Sequence, residues 1–100
     1  MSVYIIVSYD ISDPAKFEPY VPGVVPLLQK HGAEILVADF APKTVEGQGR
    51  GVNVVLRFES EEKALAFYND PAYQPVKQIR LDSTANGTMT LAQEFVFPSA

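Results

Sequence analysis

The sequence predicts a single α+β domain, in which two helical regions lie on one face of a four-stranded antiparallel sheet. First, strand-like and helix-like segments follow one another in the order β-α-β-β-α-β. Second, a glycine-rich stretch joins the two central strand segments, which is typical of a hairpin connection. Third, one hundred residues is the size of one domain, so we assign 1–100 to a single unit.

The chain begins with a strand and a helical region. The segment from Val3 to Asp10 is β-branched and aromatic and alternates in character, as strands do. Ser12-Asp13-Pro14 is typical of a helix start, because an oxygen-bearing side chain caps free amides and proline fits the first turn. Pro22 and Pro26 interrupt the following helical pattern, so we expect a kink or two helical pieces, ending at His31-Gly32. The apolar residues at helical spacing in this region are Phe17, Val21, Val24 and Leu28.

Two strand segments make the predicted central hairpin. The second strand runs from Ala33 to Phe40 and the third from Val52 to Phe58. The stretch between them, Ala41 to Gly51, contains three glycines and a proline and is predicted to be a loop. Ser60 then caps the second helical region.

The block from Tyr68 to Tyr73 divides the second helical region. Asp70-Pro71 ends one helical piece and restarts another, which continues to about Arg80. We expect a connection from Leu81 to Thr88 and a last strand from Met89 to Phe97. With this strand the order of elements is that of the ferredoxin-like split β-α-β fold, whose right-handed crossovers put both helical regions on one sheet face.

The other face of the sheet carries a mixture of polar and apolar residues. The third strand presents an unbroken apolar set to the helices: Val52, Val54, Leu56 and Phe58. The opposite face carries Val55 and Arg57, with Tyr4 and Ile6 from the first strand. A solvated antiparallel face is more uniformly polar. We therefore predict a homodimer that buries this open sheet face.

Composition excludes several classes of function. The net charge is −4 and the lysines and arginines are scattered, so we expect no nucleic-acid partner. Without cysteine there is no disulfide scaffold, thiol nucleophile or thiolate metal site, and a single histidine does not make a metal or haem site. We expect no metal and no cofactor. No apolar run approaches the ~20 residues of a membrane span and no signal peptide is visible, so we expect no membrane partner and a cytoplasmic location.

The chain resembles a known family at residues spread over nearly its whole length. They are Asp13-Pro14, Tyr20, Gly32 with the following strand to Ala38, Glu46-Gly47, Phe58, Ala64, Phe67-Tyr68, Pro71-Ala72-Tyr73 and Arg80. On these residues the chain is identified as a member of the domain of unknown function thirteen-thirty family, within the dimeric α/β-barrel superfamily. It departs from many relatives at Phe67, where they have tryptophan. The resemblance implies a ferredoxin-like fold that dimerises sheet to sheet, with pockets between sheet and helices. Because the family has no established reaction, no catalytic role carries over, and whether the protein is an enzyme is left open.

Tyr68 and Tyr73 are the first candidates for a ligand site. Each phenol combines an apolar ring with a hydroxyl that needs a hydrogen-bond partner. The hinge at Asp70-Pro71 brings the two rings close together. They form either a packed corner, with each hydroxyl satisfied locally, or the wall of a pocket that orients an oxygen-bearing ligand.

Charged residues supply the remaining candidates. Arg57 and Arg80 are predicted to pair with Asp39 or Glu46 in solvent, or to hold a ligand carboxylate in a cleft. Glu46, in the predicted loop, is also a candidate acid or base. His31 fits the negative end of a helix dipole, and its functional alternative is a general base at the end of a pocket.

Two hypotheses of function follow from these candidates. The first is a protein that binds or transforms a small carboxylated or oxygenated apolar metabolite in a pocket between the sheet and the helices. The alternative is a non-catalytic dimeric interaction module, whose interior is filled by its own side chains. An open pocket between sheet and helices favours the first hypothesis, and a space filled by side chains favours the second.

Overall fold

The computed structural model describes residues 1–99, which contain four strands and four helices. In chain order these elements are β1 (Val3–Ile11), α1 (Pro14–Phe17), α2 (Tyr20–Lys30), β2 (Glu34–Asp39), β3 (Val52–Phe58), α3 (Glu61–Tyr68), α4 (Tyr73–Ser83) and β4 (Thr84–Gln93). Each of the two predicted helical regions is therefore a pair of helices. The order of the strands and helical regions is the predicted one.

The four strands form one antiparallel sheet in the order β2-β3-β1-β4. Val7 lies opposite Val54 on β3 and opposite Met89 on β4, and these side chains face the helices. Neighbours in the same strands, such as Ile6 opposite Val55, lie on the open face. This topology confirms the ferredoxin-like fold, with the helices on one face of the sheet.

The first helical region is broken at a different place from the one the sequence predicts. Asp13 caps α1 by accepting a hydrogen bond from the amide of Lys16 at 3.1 Å, as expected. The break lies at Glu18 and Pro19, because Pro19 takes the position just before α2. The two predicted interrupters, Pro22 and Pro26, lie inside α2. Pro22 falls in its first turn, where a missing N–H costs no helical hydrogen bond.

The prediction of a long connection before the last strand is wrong. α4 continues to Ser83, and β4 begins at the next residue. The Ser83 hydroxyl donates to the carbonyl of Ile79 at 2.6 Å, and its own carbonyl accepts from the amides of Ser12 and Asp13. Ser12 and Asp13, which precede α1, therefore provide hydrogen bonds to Ser83 at the point where the chain changes directly from helix to strand. Asn86 has a positive φ of 59° and lies where the pairing of β1 with β4 shifts its register.

The last strand also ends earlier than predicted, at Gln93 instead of Phe97. Val3 pairs with Gln93, and the amide of Glu94 donates to the carbonyl of Ser2 at 3.1 Å. Beyond this point β1 offers no further partner, so the alternating segment from Phe95 to Phe97 leaves the sheet. Both phenylalanines are highly exposed, and their rings contact each other edge-on at 4.7 Å.

The core lies between the helices and the sheet. Its buried members come from β1, β3 and all four helices, and include Val3, Val52, Phe58, Ala64 and Phe67. The expected burial of Val52, Leu56 and Phe58 is confirmed. Among residues 1–99, no helix has the length and apolar character needed to cross a membrane.

Candidate functional site

A cavity of about 100 Å³ lies between α2 and the sheet. Its walls are almost entirely apolar; they include Val7, Val24, Leu28, Val54, Leu56 and Phe67. Val21, Ile35 and Phe40 also line it and remain substantially exposed, which places its mouth between α2 and the edge strand β2. The space between helices and sheet is therefore not completely filled by side chains.

Two tyrosines whose hydroxyls bond to each other line this cavity. Tyr20 begins α2 and Tyr73 begins α4, and their oxygens lie 3.2 Å apart in a buried hydrogen bond. The two helices pack directly together, since a Cβ added at Gly23 would lie 3.4 Å from methyl groups of Val76. The small residue thus allows the approach that brings both rings to the cavity.

Arg80 lies behind the tyrosines. It follows Tyr73 by two turns of α4, so both side chains project from the same face of the helix. The residue is only 6% exposed, and its guanidinium carbon lies 6.0 Å from the centre of the Tyr20 ring. Its buried Nε has no hydrogen-bond partner within residues 1–99. Arg80 is therefore a buried cation among neutral phenols.

Burial and neighbouring polar groups shift the pKa values of several of these side chains. Burial raises the pKa of Tyr9, another residue of the cavity wall, to about 12. Burial, together with Tyr73, also raises the pKa of Tyr20 well above its usual value. Burial alone would lower the pKa of Arg80, but the oxygens of Tyr73 and Tyr20 outweigh it and raise that pKa. Tyr9 and Tyr20 therefore keep their protons and Arg80 stays cationic at neutral pH.

Asp70 fixes the start of α4 and so the position of Tyr73. Its Oδ2 lies 2.7 Å from Nε2 of His31 and 2.9 Å from Nζ of Lys30, at the end of α2. Its Oδ1 accepts from the amide of Ala72 at 2.9 Å. The hydrogen bonds from His31 and Lys30, then that from Ala72, hold the pKa of Asp70 well below its usual range. His31 thus bonds to the hinge and does not line the cavity.

Tyr68 is close to Tyr73 but faces a different space. Their ring centres lie 6.1 Å apart, and Nζ of Lys77 sits 4.8 Å from the centre of the Tyr68 ring. Tyr68 borders a separate depression with Ile5, Leu65, Met89 and Leu91. The hinge brings the two rings together, as predicted, while only Tyr73 lines the cavity of the Tyr20 hydroxyl.

The other predicted site residues lie elsewhere. Arg57 is exposed on the open sheet face, where Nη1 lies 3.6 Å from a carboxylate oxygen of Glu34 and Nε donates to Ser2 at 3.0 Å. The side chain of Asp39 is exposed and accepts from the amide of Ala41. Glu46 is exposed in the loop between β2 and β3. The structure does not bring Arg57, Asp39 or Glu46 to Arg80.

Sequence reasoning did not select Tyr9 and Tyr20 as site residues. Tyr20, Val24 and Leu28 are spaced four residues apart, which is the spacing of one helix face. This spacing is the signal that could have placed Tyr20 on the buried face of α2. No set of three or more His, Cys, Asp or Glu residues suited to a metal ion occurs within residues 1–99.

Similarity to solved structures is high in fold and low in sequence. A protein of unknown function from Rhodopseudomonas palustris superposes with a TM-score of 0.81 at 9% identity, over 95% of this chain and 83% of that chain. SnoaB, a cofactor-independent oxygenase from Streptomyces nogalater, gives a TM-score of 0.68 at 9% identity, over 96% and 95%. A dimeric protein of unknown function with a ferredoxin-like fold from Bacteroides fragilis gives 0.58 at 10%, over 93% and 96%. At these identities the likeness shows the fold alone.

The family is shown by the sequence. No curated protein matches the chain. The model of the family described as "Domain of unknown function (DUF1330)" matches residues 2–95, which is nearly the whole chain and includes the Tyr68 to Tyr73 block and Arg80. The chain with the buried Tyr20–Tyr73 pair therefore belongs to the DUF1330 family, as its sequence pattern indicated.

Proposed function

We propose that the protein binds a small, largely apolar molecule bearing a carboxylate or another oxygen group in the cavity between α2 and the sheet. One observation carries the proposal: an apolar cavity is lined by Tyr20 and Tyr73, whose buried hydroxyls bond to each other, and Arg80 lies beside the Tyr20 ring. Ligand sites of proteins typically combine apolar walls with a few polar groups that orient the ligand.

The protonation of the site favours binding over proton abstraction. The raised pKa of Tyr20 keeps its phenol neutral, so the group donates a hydrogen bond to a ligand oxygen. In a Tyr–Tyr hydrogen bond one hydroxyl donates to the other, which leaves the hydrogen of the second available. A ligand oxygen placed beside this pair receives that hydrogen while its carbon skeleton contacts the apolar walls.

The experiment is a titration of the full chain with hexanoate and with 1-hexanol, followed by amide chemical shifts. Binding of at least one probe, with shifts at Val24, Leu28 and Tyr73, is the expected result. Val24→Phe, which fills the cavity, should abolish the shifts; Leu81→Phe, on an exposed position of α4, is the matched control and should retain them. Absence of binding by both probes contradicts the proposal, as does binding that survives Val24→Phe.

A homodimer through the open sheet face is the assembly we propose. Ile6, Leu36 and Val37 are each more than 40% exposed, and Ile6 and Val37 flank Val55 on that face. The Bacteroides fragilis neighbour with this fold is described as dimeric. Burial of this apolar surface against a second copy would remove it from water. The cytoplasmic location and the lack of a nucleic-acid partner stay predictions from the sequence.

The alternative function, a non-catalytic dimeric interaction module, is favoured by one feature. Phe95, Val96 and Phe97 are 73%, 57% and 82% exposed and lie beyond the last strand. Exposed apolar clusters mark interaction sites more often than isolated apolar residues do. Loss of the dimer after removal of residues 95–97, with hexanoate and hexanol binding unchanged, would assign the segment to assembly and the cavity to ligand binding.

A further inference from the structure

We infer that Arg80, Tyr20 and Tyr73 form a carboxylate-binding site, so that the ligand of the cavity is a small apolar monocarboxylate. The inference rests on the proposed function, because it names the chemical class of the ligand that the same cavity takes. It goes further by requiring a negative charge on the ligand and by giving Arg80 the task of recognising it.

The first argument is the missing counter-charge of Arg80. Buried arginines are normally paired, because removal of an unpaired charge from water is costly. None of the ion pairs found among residues 1–99 includes Arg80. Its nearest polar neighbours, Tyr20 and Tyr73, are neutral phenols with dipoles and no charge. A ligand carboxylate would supply the anion that these residues of the protein do not.

The second argument is the set of hydrogen-bond donors on Arg80 and the tyrosine pair. The buried Nε of Arg80 has no partner within residues 1–99. One hydrogen of the Tyr20–Tyr73 pair is also free to point away from the other oxygen. A guanidinium and a phenol together match the two oxygens of a carboxylate, which accepts hydrogen bonds at both. An amide or an alcohol offers fewer acceptor positions and no charge.

The third argument limits the ligand to one negative charge and a short apolar body. Arg80 is the cation beside the tyrosines, and the residues that line the cavity are apolar or phenolic. A dianionic phosphate would leave a second charge without compensation. The volume of about 100 Å³ is smaller than the ~150 Å³ cavity that accommodates benzene, so the apolar body of the ligand is small.

The test compares matched acids and amides on the unmodified protein. Calorimetric titrations at pH 7 would use hexanoate against hexanamide and butanoate against butanamide, pairs that share shape and differ in charge. We expect each acid to bind at least about tenfold more tightly than its amide, as charge-assisted hydrogen bonds do. Equal affinities would overturn the carboxylate site and leave the proposed function standing. Absence of binding by all four probes would overturn both.

Variants assign the preference to Arg80. Arg80→Met should bring the affinity for hexanoate down to that for hexanamide, with hexanamide binding retained, and Arg80→Lys should restore part of the preference. Arg57→Met removes the same charge from the open sheet face and should leave the preference unchanged. If Arg80→Met keeps the wild-type ratio, the inference is wrong. If Arg80→Met fails to fold, Arg80→Gln, which also removes the charge, replaces it with the same four probes, and an unchanged ratio there has the same meaning.

Discussion

The hydroxyl oxygens of Tyr20 and Tyr73 lie 3.2 Å apart although 53 residues separate them in the chain. The contact joins the first turn of α2 to the first turn of α4, and both tyrosines line the cavity. Both rings are buried, so the bond between the hydroxyls supplies a partner that water does not. The pair therefore contributes to folding as well as to the candidate site.

Removal of either hydroxyl should destabilise the protein. Tyr20→Phe and Tyr73→Phe each delete one partner and leave the other buried without its hydrogen bond, which costs about 1–3 kcal/mol. The double variant should cost less than the sum of the two, because the second deletion removes the unsatisfied group. Urea unfolding of the four proteins gives the coupling free energy directly.

Tyr68→Phe is the control for this cycle. Tyr68 belongs to the same hinge and contacts Tyr73 through its ring, but it lies outside the hydroxyl pair. Its substitution should change stability by less than about 0.5 kcal/mol, as most changes away from buried networks do. Strictly additive losses at positions 20 and 73 would show that the two hydroxyls do not stabilise each other.

Acid should weaken the contact between the hinge and the end of α2. The pKa of Asp70 is lower in the folded protein than its ordinary value of 3.8, chiefly through the hydrogen bond from His31 and then that from Lys30. A depressed carboxyl pKa stabilises the fold at pH values above the unfolded pKa. That stability is lost as the pH falls from about 5 towards the folded pKa.

Asp70→Asn should therefore lower the unfolding temperature at pH 7 and lower it by clearly less at pH 2, where part of the charge contribution is already lost. The asparagine still offers an oxygen to the amide of Ala72, so the comparison isolates the charge. Glu46→Gln, in the exposed loop, removes the same charge without these contacts and should behave as wild type at both pH values. An equal loss for Asp70→Asn at pH 7 and pH 2 would contradict the assignment.

The sheet was predictable because its signals are local. Alternation along Val3 to Asp10 and Val52 to Phe58 fixes which side chains face the helices, whatever the rest of the chain does. The ends of the last strand depend instead on its neighbour. Phe95 and Phe97 have strand-like alternation, but β1 has no residue left to pair with them after Ser2.

The site was harder to predict for two physical reasons. The prediction treated Phe17 and Val21 as residues on one face of a continuous helix. The helix is instead broken at Pro19, and the new helix that starts at Tyr20 buries Tyr20 and leaves Val21 partly exposed. Arginine is mostly exposed in proteins, so sequence alone gives no sign that Arg80 lies in the core while Arg57 lies at the surface. Both facts depend on the packing of α2 against α4.

Phe67 is a wall of the cavity and a centre of the aromatic core. Its ring lies 4.5 Å from that of Tyr73 and 5.8 Å from that of Phe58, and the residue is 1% exposed. Phe67→Ala should cost about 3–5 kcal/mol in unfolding free energy, a large share of the ~5–15 kcal/mol of a typical domain. Urea unfolding measures this loss, and Leu65→Ala, a half-exposed position on the same helix, should lose much less.

A charge at the centre of the open sheet face should separate the proposed dimer. Ile6 pairs with Val55 across β1 and β3, and its side chain is 44% exposed in the single chain. Ile6→Glu would place a carboxylate in an apolar interface, where its desolvation is costly, while a monomer leaves it in water.

Light scattering at micromolar concentration should give twice the chain mass for the wild type and the single mass for Ile6→Glu, with unchanged far-ultraviolet circular dichroism. Leu81→Glu, at a similarly exposed site on α4, should stay dimeric. A single-chain mass for the wild type would refute the homodimer. A dimer that tolerates Ile6→Glu would place the interface elsewhere, and the exposed Phe95 and Phe97 would then be the next surface to alter, because they lie outside the open face.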